Sequence, residues 1–389
     1  MAVILALIST PLFRAADTPP SPQPHRLRTM DGLRGFLAFG VYFHHVAVYH
    51  GFLLAGDWQS PPTRFYYTLG PLAVSIFFMI TGYLFWSKLM QVRGRPAWLN
   101  LYIGRVFRIG PLYLAVMSVM LLYVFVRTGF SLHVPVSKLS VGIAKWLSLG
   151  LFSGPDINGY LNTYLLIAGV TWSIRCEWIF YLCLPILALA ARKKSLCLPL
   201  VITALAACFV YTSLHPPKLG SRPSIILASH FLAGMLFASL HEKGWYARLQ
   251  NNLSSVVVLA LVAIVFQVQN PYTFGPVVLL GTSFYLITSG CTVFGLLTTR
   301  PAIRLGDISY GIYLLQGFAL AAVFRPAFFR HLALSSPINH WSLALVGGIV
   351  LICIATVGHL GVERPGIALG RLVSARLEAR LDRRLLVTR

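Results

Sequence analysis

Ten apolar runs alternate with short polar, basic or proline-containing segments, near residues 32–53, 68–88, 109–127, 171–190, 196–213, 224–240, 253–268, 276–298, 307–324 and 342–361. Each is near the length of a helix crossing about 30 Å of hydrocarbon, the seventh being short. The pattern predicts an all-α, polytopic membrane protein of about ten transmembrane helices. The longest intervening segment, about 128–170, carries Trp146 among mixed apolar residues and is expected to lie partly on the membrane surface. The N-terminal AVILALI is too short to span and follows no basic residue, which argues against a cleaved leader. Thr18 to Pro24 reads as an extended or disordered linker. In the tail, Val373, Leu377, Leu381 and Leu385 recur every fourth position among arginines. That is either a basic amphipathic helix on an anionic leaflet or a solvated charged tail. The organisation is an N-terminal segment 1–30, a transmembrane domain 31–367 and a tail 368–389, without internal repeats.

Composition agrees: 57% of residues are hydrophobic, 11% are charged, and mean hydropathy is +0.74. A net charge of +22 would suit nucleic acid, but the Lys and Arg residues flank apolar runs, so no nucleic-acid partner is expected. With ten spans both termini share a side. An inside N-terminus puts 23 Lys and Arg on inside segments and 8 outside, which favours cytoplasmic termini and a multi-pass protein of the inner membrane. Six cysteines lack metal-ligand spacing and read as small packing residues, so no metal is expected.

Ionisable residues inside such runs need a reason. The first run, DGLRGFLAFGVYFHHVAVYHGFLL, contains Arg34 and His45. Eleven helical positions return to within roughly 20° of the same face, about 16 Å further along. His44, the neighbour, faces about 100° away. Imidazole is the usual general base near neutrality, though a membrane histidine can equally be hydrogen-bonded across helices. Arg105 and Arg108 are three apart at the rim of the third run and could grip a phosphate or simply flank the span. Of ten acids, nine fall in tails, loops or near predicted membrane edges. Glu177 lies within the fourth run, on one face with Ser173 and Tyr181. It is a functional candidate or half of a structural ion pair.

Taken in order, these segments resemble the acyltransferase-3 family of integral membrane O-acyltransferases, from about Asp31 to Pro365. DGLRGFLAFGVYFHH is similar to the first-helix signature and selects Arg34 and His45. SIFFMITGYLF, around Gly82, resembles the second-helix signature. RVFRIGPLY resembles the paired-arginine motif with its proline, here Arg105, Arg108 and Pro111. TWSIRCEWIFYLCLP resembles the segment that selects Trp172, Ser173, Glu177, Phe180, Tyr181 and Pro185. LGDISYGIYLLQ, with Tyr313 and Gln316, and VERP resemble the closing motifs. Many members carry histidine where this chain has Gln316, which cannot act as a base near neutrality. Arg175 and Cys176 also depart from the small or apolar residues expected there.

The resemblance implies transfer of an acyl group, most often acetyl, from acyl-coenzyme A as donor substrate, with no bound cofactor. The acceptor would be a hydroxyl of a cell-surface or lipid-linked glycan such as exopolysaccharide or lipopolysaccharide O-antigen. Arg34, Arg105 and Arg108 would bind the donor, and His45 would be the base, or form an acyl-histidine. Glu177 would orient His45, which requires the fourth span to pack beside the first. Trp172, Ser173, Tyr181, Tyr313 and Gln316 would support the site, with membrane lipids as the surroundings. A small-molecule acceptor, and a transporter or flippase of an anionic substrate, remain alternatives on the same residues.

Overall fold

The computed structural model describes residues 1–17, 25–218 and 221–387, with side chains described to residue 380 apart from 25–27. The chain is helical: α1 (Ala2–Ser9), α2 (His25–Ala55), α3 (Arg64–Gln91), α4 (Trp98–Arg127), α5 (Val136–Leu147), α6 (Thr171–Ala191), α7 (Lys194–Leu214) and α8 (Ser224–Glu242). These are followed by α9 (Asn251–Val265), α10 (Phe274–Thr288), α11 (Arg300–Asp307), α12 (Ser309–Phe324), α13 (Ala327–Ser335), α14 (Pro337–Gly358) and α15 (Arg364–Val387). Among the described residues, seven helical stretches are long and apolar enough to cross a membrane, in α2, α3, α4, α6, α7, α8 and α14–α15. The pair α11 and α12, bent by 70°, makes an eighth if it counts as one span. The shorter apolar helices α9 and α10 stand where the seventh and eighth runs predicted spans. The protein is thus an all-α, multi-pass membrane protein.

The run 276–298 does not form one helix. Helix α10 stops at Thr288, where Gly290 takes φ +121°, and Val293 and Phe294 also adopt positive φ before α11 begins. The apolar residues beyond that break pack on α2 instead of continuing a span. The carbonyl of Leu297 lies where a side chain on Gly32 would be, and Gly306 meets the carbonyl of Asp31 in the same way. This close approach of α2 to α11 and its preceding turn fixes the helix that carries Arg34 and His45.

Two other expectations change. The opening apolar residues form α1, whose Ile4 and Ile8 are fully buried against the C-terminal helices. Arg304 donates Nη1 to the carbonyl of Ile8 (2.8 Å) and Nη2 to Asp17 (2.9 Å), and Arg364 donates to the carbonyls of Ala15 and Ala16. The hydrogen bond from Arg304 holds the Asp17 carboxyl below its usual range, so this clasp loosens only in acid. The predicted linker Thr18 to Pro24 lies outside the described residues. The segment 128–170 does not merely rest on a surface. Trp146 is buried, Tyr113 donates to its carbonyl (3.0 Å), and its own Nε1 donates to the carbonyl of Pro155 (2.8 Å). The tail is helical from Arg364, with Gly366 and Gly370 tight against Pro111 and Phe107 of α4. Val373 and Leu377 are half-buried; Leu381 and Leu385 lie outside the described side chains.

Helices α3 and α8 also cross backbone to backbone. A methyl on Gly82 would fall 2.2 Å from the carbonyl oxygen of Phe231, and one on Gly234 2.0 Å from that of Met79. Small residues on facing helices allow such backbone approach in membranes. Gly82→Ala and Gly234→Ala should each cost about 1–3 kcal/mol by forcing the pair apart. The expected result is a lowered Tm of the purified protein in detergent. Wild-type Tm in both variants would contradict this packing.

Candidate active site

Helix α2 is the spine of the site. Its glycine-lined end against α11 brings Arg34 into a cavity of about 460 Å³ shared with α3, α4, α6 and α12. Four cationic side chains line that space, Arg34, Lys88, Arg105 and Arg108, together with one carboxylate, Glu177. Arg34 approaches Asp31 one turn away at 3.9 Å, and among the described residues neither Arg105 nor Arg108 forms an ion pair. The guanidinium of Arg105 lies 4.9 Å from the centre of the Phe85 ring. The cavity therefore carries an excess of positive charge within apolar walls, where electrostatic attraction for an anion is strong. The first turn of α12 also borders it through Ser309 and Tyr310, adding the positive end of a helix dipole.

A second, smaller chamber of about 60 Å³ lies further along α2. His44, His45, Tyr67, Trp172, Arg222 and Tyr272 line it. Val74 and Tyr313 border both spaces, so they form the partition between the arginine cavity and the histidine chamber. The Tyr313 hydroxyl is 2.6 Å from Ser173 Oγ and 3.3 Å from the carbonyl of Val170. Through these bonds α6 and α12 hold the partition in position.

The partner of His45 is Gln316, at 2.9 Å from Nδ1, and not Glu177. Gln316 is fully buried, and its Nε2 donates to the carbonyl of Tyr313 at 2.7 Å. That bond fixes the amide, so Oε1 faces the imidazole as an acceptor. His45 then carries its proton on Nδ1 and keeps the Nε2 lone pair. Helix α6 does pack against α3, but Glu177 lies in the arginine cavity, where it accepts a hydrogen bond from Tyr181 one turn on. The expected orienting contact between Glu177 and His45 is therefore corrected: the amide of Gln316 occupies that position.

All the other anticipated residues converge. Arg34, Arg105, Arg108, Ser173, Glu177, Tyr181 and Tyr313 line the arginine cavity, and His45 and Trp172 line the chamber. Residue spacing missed Arg222, whose guanidinium lies 4.5 Å from the Trp172 ring centre beside His45. It also missed Tyr67, whose buried hydroxyl has no hydrogen-bond partner among the described residues. Both come from segments entering helices, and only the fold brings them to α2. His44 ties α2 to α3, its Nδ1 being 2.6 Å from the carbonyl of Tyr66.

Comparison with known proteins gives the family. Residues 27–357 match the acyltransferase-3 family, described as an acyltransferase domain. The chain is 26% identical over 381 residues to acyltransferase MdmB of Streptomyces mycarofaciens, covering 88% of this chain and 92% of that protein. No solved structure matches. The chain belongs to the acyltransferase-3 family, and it is a membrane acyltransferase.

Removing the Gln316 amide takes away the oxygen that faces the part-buried His45 Nδ1. Gln316→Leu should cost about 1–3 kcal/mol. It should also lower transfer more than a Leu at an exposed site does, because the imidazole loses its fixed tautomer. Thermal unfolding and turnover of the purified variant test this, and wild-type values for both would remove Gln316 from the site.

Proposed function

We propose that this acyltransferase draws acyl-coenzyme A, most often acetyl-coenzyme A, into the arginine cavity from the cytoplasm and passes the acyl group to a hydroxyl presented in the histidine chamber. The acceptor is a sugar of a cell-surface or lipid-linked glycan, and the protein resides in the inner membrane with both termini cytoplasmic. One observation carries the reading: a strongly cationic cavity and a chamber holding a histidine share the wall formed by Val74 and Tyr313. The donor's phosphates suit Arg34, Lys88, Arg105 and Arg108, since guanidinium groups bind phosphate through paired hydrogen bonds. Its extended thiol arm then runs along α2 toward His45, about 16 Å from Arg34 at 1.5 Å per residue.

In this mechanism His45 Nε2 accepts the proton of the acceptor hydroxyl as its oxygen attacks the thioester carbonyl. The developing oxyanion is met by the buried Tyr67 hydroxyl and by the charge of Arg222. The carbon–sulfur bond breaks, the thiolate takes the proton from His45, and ester and free coenzyme A leave. Glu177 and Tyr181 position the donor-side arginines and do not touch the base.

His45→Ala should abolish coenzyme A release from acetyl-coenzyme A with acceptor present, while the protein stays folded in the membrane. Undiminished release would end the scheme. Consumption of the thioester also separates this reading from a transporter, which moves its substrate without cleaving it. Arg105→Ala should raise the apparent donor KM about tenfold or more, the effect of losing one charge-assisted contact. Glu177→Gln should likewise act on donor KM. A Glu177→Gln variant with wild-type KM and a collapsed kcat would move that residue to the chemical step.

A further inference from the structure

A third cavity, of about 330 Å³, lies at the opposite end of α2 from Arg34. Its walls include Tyr49, Phe52, Asn162, Phe324, Arg325 and Arg330. From Arg34 to Leu53 on the same wall is about 28 Å along the helix, close to the hydrocarbon thickness of a bilayer. One side chain, Trp58, meets lining residues of both this cavity and the histidine chamber. Trp58 stacks on the His45 ring, with centroids 5.9 Å apart, and meets the Tyr49 and Phe52 rings edge-on at 5.8 and 6.0 Å.

The unusual member of this cavity is Arg325. Its Nε reaches the Tyr49 hydroxyl (3.4 Å) and its Nη1 the hydroxyls of Tyr123 (3.2 Å) and Tyr160 (2.9 Å). These neutral acceptors orient the guanidinium without cancelling its charge. Its Nη2 carries no protein hydrogen bond among the described residues. No carboxylate among them pairs with Arg325 or with Arg330, whose Nη2 donates to the carbonyl of Leu53 (3.3 Å). A fixed cation beside a second, exposed one, with aromatic faces between them and the base, is built to hold an anion attached to a hydroxylated ring.

We propose that this cavity is the acceptor's entry subsite and that it binds a phosphate borne by a sugar or similar polyol, with Trp58 as the partition the reacting hydroxyl passes to reach His45. The assignment rests on the acyl-transfer reading given above. It adds the acceptor's chemical class, a phosphorylated polyhydroxyl compound, whether soluble or carried by a lipid.

The test is equilibrium binding to the full chain in phosphatidylcholine nanodiscs. Glucose 1-phosphate and glucose serve as probes, with the donor cavity silenced by Arg105→Gln and Arg108→Gln. The phosphorylated sugar should bind at least about tenfold more tightly than glucose. That preference should vanish in Arg325→Gln and fall in Arg330→Glu, which changes an exposed residue and leaves the tyrosine cluster intact. Equal affinity for the two sugars, or a preference retained in Arg330→Glu and Arg325→Gln alike, overturns the proposal. Displacement of the probe by phosphatidylglycerol in the nanodisc identifies a lipid-borne phosphate, and lack of displacement a soluble one; both keep the shared chemistry. The readout involves no acyl transfer. Full activity in His45→Ala would therefore defeat the catalytic reading while leaving this binding measurable, and lost selectivity would defeat the subsite alone.

Discussion

An ionisable side chain inside an apolar helical bundle must be given a polar partner or a space that a ligand or water can share. That constraint organises the whole molecule around α2. Arg34 near one end opens on a cavity, His45 in the middle is held by an amide, and at the far end the helix borders a further cavity. Isolated charges at these depths would be costly. Their placement along a single helix sets three separate polar spaces in series through an otherwise apolar protein.

Such a series needs a rigid wall, and glycine supplies it. Gly32 and Gly306 let α2 and the segment around α11 touch backbone to backbone, while Gly82 and Gly234 do the same for α3 and α8. Without a hydrophobic drive between helices in lipid, close packing and hydrogen bonds must hold the bundle. The C-terminal region adds a polar lock. At a π-helical turn, His359 Nδ1 is 2.9 Å from Glu363 and Arg364 Nε donates to His359 Nε2 at 3.0 Å. The same Arg364 pins the carbonyls of Ala15 and Ala16, so the segment after α1 and the start of the last helix brace each other.

Much of this was legible from periodicity and composition, because hydrophobic run length dictates helices that cross a membrane. The run at 276–298 misled, since apolar content alone does not register a break at Gly290 that lets residues around Leu297 cover α2. Helical spacing also grouped Ser173, Glu177 and Tyr181 on one face, and they do share one cavity. It could not say which cavity. A face of a helix is a local property, whereas the neighbour it meets depends on packing between spans. Arg222 and Tyr67 were invisible for the same reason: each is unremarkable in its own segment and becomes notable only beside His45.

The exchange of an expected carboxylate for the Gln316 amide behind His45 has a mechanistic consequence. A carboxylate would stabilise a protonated imidazole by charge; an amide fixes only the tautomer and the ring plane. Arg222 on the same chamber wall adds a positive charge that opposes a second cation. In the reaction proposed for this site, an imidazolium is therefore a brief species. The proton gained from the acceptor must pass to the departing thiolate almost as soon as it arrives. That requirement favours direct transfer between two bound substrates over a route that parks the acyl group on His45 and waits, because both the source and the destination of the proton must be present together. It also explains why one partition, Val74 and Tyr313, suffices between the two spaces: donor thioester and acceptor hydroxyl need to meet across it, and nothing needs to be stored on either side.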